Sequence, residues 1–143
     1  MNRYEIWLQR LLVVIGIGLM LATIPIFFPA DTMAYFHKLL GLGDFPDQPI
    51  TLYLARSTSL LYAVHGFLMF LTGIRIQQLR MLAPVFGWLH VVLGLVMLGI
   101  DLASGMPWYW TAVEGVPISL AGLLLVFLAA KSAQQTPADS SHA

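Results

Sequence analysis

Cysteine is absent from the 143 residues, which removes disulfides, thiolate metal sites, cysteine nucleophiles and covalently attached c-type haem together. Charge is scarce as well: 10% of residues are charged, seven basic against seven acidic, for a formal net charge of zero. With no long-range field and no basic cluster of the kind that neutralises phosphates, nucleic acid is not expected as a partner. Gly-x-Ser-x-Gly, His-Glu-x-x-His, Walker and dinucleotide-binding patterns do not occur, so no catalytic chemistry is expected of the chain itself.

What is abundant is apolar surface. Hydrophobic residues make up 59% of the chain and the mean hydropathy is +0.81, more apolar than a soluble domain of this length keeps off its surface. The hydrophobicity falls into four runs: Leu11 to Phe28, Thr51 to Ile74, Leu82 to Leu102, and about Trp110 to Ala130. A helix rising about 1.5 Å per residue needs roughly 20 residues to cross about 30 Å of hydrocarbon. The expected fold is therefore all-α, a four-transmembrane-helix antiparallel bundle, with residues 1–132 as a single membrane domain and 133–143 as a disordered cytoplasmic tail. The basic start of the first run resembles a secretory signal, but the run is long, lacks an Ala-x-Ala-like site and precedes further spans, so it reads as a retained helix.

Between the first two spans, Asp31 is placed to cap a short helix running to Leu40 and ending at Gly41, with Met33, Phe36 and Leu40 on one side, as suits a helix lying on a membrane surface. The Gly43 to Pro49 segment follows as a turn-rich connector. Gly18 and Ala22 offer the first helix a face for close helix approach, and Gly115, Ser119 and Gly122 do the same for the fourth. In the third, Gly87, His90, Gly94, Met97 and Asp101 recur at steps of three and four and form one packing stripe. Pro117 deprives the carbonyl of Val113 of its helical donor and is expected to bend the fourth helix.

Arg3, Arg10, Arg75, Arg80 and Lys131 fall at one side of this arrangement, five of the seven basic residues, and Asp31, Asp44, Asp47, Asp101 and Glu114 at the other. The positive-inside rule then places both termini in the cytoplasm, with Trp108, Tyr109 and Trp110 as an aromatic belt at the outer interface.

A few ionisable groups lie within the spans. Counted outward from the Arg75 to Arg80 turn at about 1.5 Å per residue, Arg56 and Asp101 reach nearly the same height, and Glu114 joins them there, near Tyr53 and Trp108. A charge in hydrocarbon costs about 2.5 to 3.5 kcal/mol on insertion scales, so pairing is expected. The cluster is a structural clamp of helices two, three and four, or the lining of an outer-leaflet pocket in which Arg56 holds an anionic or carbonyl group of a lipid-like ligand, or no pair at all, with Arg56 snorkelling to the interface. His65 and His90 support a competing reading, two midplane histidines ligating haem b or a metal. Arg56 and His65, nine residues apart, stand about 180° apart on their helix, while His90 and Asp101 share a face, so a simple hairpin cannot make both pairs.

The order of features, Ala55-Arg56-Ser57, then Tyr62-Ala63-Val64-His65-Gly66, then Asp101 to Pro107 followed by Glu114-Gly115, resembles small four-helix bacterial membrane proteins of unknown function, loosely similar to the DoxX-like group. The resemblance implies a four-span bundle and draws attention to Arg56, Asp101 and Glu114. The functional expectation is an accessory subunit of a membrane complex or a binder of a lipophilic molecule or lipid. No cofactor is expected under it, and the expected partners are membrane lipids together with other membrane-protein subunits or further copies of the chain. An electron-transfer subunit carrying haem b and a small transporter are the alternatives.

Overall fold

The computed structural model describes residues 1–134, and their regular structure is entirely helical: α1 (Arg3–Met20), α2 (Thr23–Ile26), α3 (Ala30–Leu39), α4 (Pro49–Ile74), α5 (Ile76–Leu79), α6 (Leu82–Ala103), α7 (Trp108–Val113) and α8 (Gly115–Gln134). Four stretches are long and apolar enough to cross a membrane, Arg3–Ile26, Pro49–Ile74, Leu82–Ala103 and Trp108–Gln134. Between 17% and 28% of each apolar window is buried within the chain. The remainder, including Val14, Leu61, Val85 and Leu120, faces outward. Apolar surface on that scale is stable against acyl chains and not against water. The chain is a multi-pass integral membrane protein.

Each helix boundary has a local cause. Asn2 caps α1, its Oδ1 accepting the Glu5 amide at 2.9 Å, so the helix starts eight residues before the apolar run does. The Asn2-x-x-Glu5 spacing was its signature. Pro49 opens α4 at the first helical position, where a missing amide hydrogen costs nothing. The short helix expected after the first span is present as α3, but Pro29 and not Asp31 occupies its cap, and Asp31 lies inside the first turn. There its charge complements the helix dipole without a capping bond. Gly41 (φ 72) ends α3: its own amide bonds the Lys38 carbonyl and the Leu42 amide bonds that of His37. Gly105 (φ 65) repeats the pattern after α6, with Gly105 bonding Leu102 and Met106 bonding Asp101. The fourth span is interrupted at Glu114 (φ −101, ψ −80), three residues before Pro117, which supplies no amide hydrogen for the Val113 carbonyl. Its α8 continues through Ala133 and Gln134; the rest of the expected polar tail lies outside the described residues.

The chain separates into two compact units, Met1–Val14 with Leu71–Ala143, and Ile15–Phe70. In the first, α6 and α8 run antiparallel with their backbones nearly touching. Gly87 faces Gly122, and Gly94 faces Gly115 and Ser119. The stripe read from the sequence is this contact face, with Gly87, His90, Gly94 and Asp101 all buried. At the end carrying the basic residues, Gln77 Nε2 donates to Glu5 Oε1 at 2.7 Å and Asn2 Nδ2 to the Ser132 carbonyl at 2.9 Å. These bonds tie the chain start to the α4–α6 turn and to α8. The turn is itself a helical loop whose Ile76 is buried.

In the second unit, Gly66 of α4 meets Gly16, Leu19 and Met20 of α1, so these two segments are also antiparallel and close. The expected seam at Gly18 and Ala22 is not the one used: a Cβ on Gly18 would meet nothing within 4 Å. Phe28 stacks on Phe36 with centroids 5.6 Å apart, and the His37 Nδ1–H donates to the Gly43 carbonyl at 3.1 Å, fastening α3 to the connector.

Candidate functional site

At the α6–α7–α8 end of the first unit, two carboxyl groups lie within electrostatic range of each other. Asp101 lies two helical turns beyond Gly94 on the packed stripe, and the Schellman turn at Gly105 holds its backbone in place. Its side chain is only 3% exposed, and its Oδ2 is buried with no hydrogen-bond partner. Glu114 sits at the break between α7 and α8 and lies close enough to Asp101 for the two carboxyls to interact electrostatically. Trp110, one turn earlier, donates its indole Nε1–H to Glu114 Oε2 at 2.6 Å.

The two acids are thus unlike: one is held by a donor, and the other presents a bare acceptor in a packed environment. An unmade hydrogen bond on a buried polar atom costs about 1 to 3 kcal/mol, so Asp101 is where a donor would be gained most. Trp108, expected beside the cluster, is 81% exposed and rests edge-on to Tyr109. It is Trp110, four residues before Glu114 and so on the same helical face, that serves the carboxyl.

The remaining candidates of the expected cluster lie in the second unit. Arg56 of α4 donates through Nη2 to the backbone carbonyl of Phe28 at 3.0 Å, while its Nε is buried without a partner. Phe28 precedes Pro29, so the guanidinium braces the corner where the first span turns into α3. This backbone acceptor carries no sequence signature. Tyr53, one turn earlier, is 63% exposed.

His65 lies half-buried on α4. His90 is buried on α6 with its Nδ1 2.9 Å from the Phe86 carbonyl. A carbonyl only accepts, so that nitrogen carries the proton. The α8 backbone passes so near that a Cβ on Gly122 would stand 2.9 Å from the His90 Cβ. Among the described residues, no three His, Cys, Asp or Glu side chains gather as a metal site. No family model, curated protein or solved structure matches the chain.

Proposed function

We propose that this is a non-enzymatic protein of a bacterial inner membrane, with both termini in the cytoplasm, that binds an amphiphilic small molecule or lipid through a polar head at the Asp101–Glu114 pair. The observation that carries the reading is the buried Asp101 Oδ2 without a donor, at the end of a span and beside a second acid. A head bearing a hydroxyl or amine supplies the missing donor, and an apolar tail suits the outward face of α6 and α8. The orientation rests on the five basic residues at the Arg75–Arg80 end, and four crossings return both termini to one side.

Native mass spectrometry of gently extracted protein tests this. A small-molecule adduct is expected on the wild type and should be lost from Asp101→Leu, with Asp101→Asn intermediate because it keeps one acceptor. Bare wild-type protein would overturn the proposal. A companion chain in place of an adduct would establish the accessory-subunit reading, and a Soret band after haem-replete expression would move the function to haem b.

A further inference from the structure

The opposite end of the first unit carries a separate feature. Met81 and Pro84, at the start of α6, stand across from Ala129, Ala130 and Ala133 near the end of α8, and the space between them is a groove of about 420 Å³ that Arg80 also lines. That volume lies within the roughly 300 to 1,000 Å³ of small-molecule sites. The groove exists because three alanines replace the larger side chains found elsewhere on α8, and because Pro84, in the first turn, brings no amide hydrogen to be satisfied. Its walls are apolar apart from Arg80, and no acidic residue lines it. Met81, Ala130 and Ala133 are exposed, so the groove opens sideways onto what surrounds the helices. The Arg80 guanidinium donates to Ser132 Oγ at 3.4 Å, which holds its positive charge beside the groove. Lys131 follows Ala130 directly and adds a second positive charge at this level.

We infer that this groove is a binding site for one anionic phospholipid, its acyl chain lying between α6 and α8 and its phosphate against Arg80. An apolar slot open to the side, a cation at its polar end and no competing acid match that one occupant in both shape and charge. The site is independent of the Asp101–Glu114 pair.

The test uses the full-length protein in nanodiscs, exchanged into detergent with phosphatidylglycerol or phosphatidylcholine and read by native mass spectrometry. Wild type is expected to keep a single phosphatidylglycerol with about fivefold preference over phosphatidylcholine, the factor that about 1 kcal/mol per basic residue gives. Arg80→Gln should erase the preference. Ala130→Phe, which fills the groove from its exposed side, should lower retention of both lipids at unchanged melting temperature. Arg75→Gln, an exposed arginine of the same turn that does not line the groove, should leave retention as in the wild type. Equal retention of the two lipids by wild type, undiminished retention by Ala130→Phe, or displacement of the lipid by millimolar inorganic phosphate would each overturn the assignment.

Discussion

Gly87 and Gly122 face each other so closely that a Cβ added to Gly122 would stand 2.6 Å from the Gly87 carbonyl oxygen and 2.6 Å from the Val91 amide nitrogen. Both neighbours are backbone atoms and cannot rotate away, so a methyl there has to part the helices. In a membrane, helix association depends on such van der Waals contact, because lipid is as apolar as the side chains it would replace. Gly122→Ala and Gly87→Ala are expected to destabilise by about 1 to 3 kcal/mol, read as a lower melting temperature by tryptophan fluorescence in mild detergent. Gly99→Ala, with nothing within 4 Å of its Cβ, should change stability by less than about 0.5 kcal/mol. Equal melting temperatures for all three variants would refute the close contact.

The second unit gives a sharper contrast within one helix. A Cβ on Gly16 would lie 2.6 Å from the Phe70 amide nitrogen and 2.8 Å from the Gly66 carbonyl, whereas Gly18, two residues on, is open. Gly16→Ala should therefore lower the melting temperature and Gly18→Ala leave it unchanged or raise it slightly, since alanine is the better helix former by about 1 kcal/mol. If Gly18→Ala proved the more damaging, the α1–α4 register described above would be wrong.

Trp110 and Glu114 can be separated by a mutant cycle. Trp110→Phe removes the indole donor to Glu114 Oε2 and is expected to cost about 1.5 to 3 kcal/mol, as for hydrogen bonds to charged groups. In a Glu114→Leu background the same change should cost much less, because the acceptor is already gone. Costs that simply add, measured by thermal unfolding, would mean that the pair does not couple.

At the other end of that unit, Glu5 is 6% exposed and accepts from Gln77. Gln77→Leu strips the donor from a buried carboxyl and should destabilise by about 1 to 3 kcal/mol. Gln78→Leu, changing an exposed neighbour whose side chain accepts from Arg75, serves as the comparison and should fall within about 0.5 kcal/mol of wild type. Limited proteolysis of the α4–α6 turn provides a second readout: faster cutting is expected in Gln77→Leu alone, and indistinguishable rates would count against the tie.

The spans were readable because length and hydropathy bound them directly, and the α6 stripe was readable because its period matches the helix from Gly87 through Asp101. Pro117 announced the break near Glu114 for an equally local reason. The α1 seam was not readable: Gly16, Gly18 and Ala22 all qualify as small, and only the position of Gly66 on another helix selects Gly16. The same limit applies to the polar groups. Trp110 and Glu114 are four residues apart and visible to helical geometry, while the partner of Arg56 is a main-chain oxygen 28 positions earlier, which no residue-type pattern reveals.

That bond sets the role of Arg56. Its Nη2 reaches the Phe28 carbonyl at 3.0 Å, immediately before Pro29 begins the turn into α3, so the side chain acts on the corner between the first span and the short helix. Arg56→Leu leaves that carbonyl without its guanidinium donor and is expected to cost about 1.5 to 3 kcal/mol. Arg56→Lys keeps the charge but lacks the planar fork, so it should recover part of the loss. The effect should also be local: hydrogen exchange is expected to speed up from Phe27 to Met33 before it does in α6 or α8, because fraying of one corner needs less free energy than global unfolding. Uniformly faster exchange throughout the helices, with no early opening at that corner, would show that Arg56 stabilises the protein by some route other than the Phe28 carbonyl.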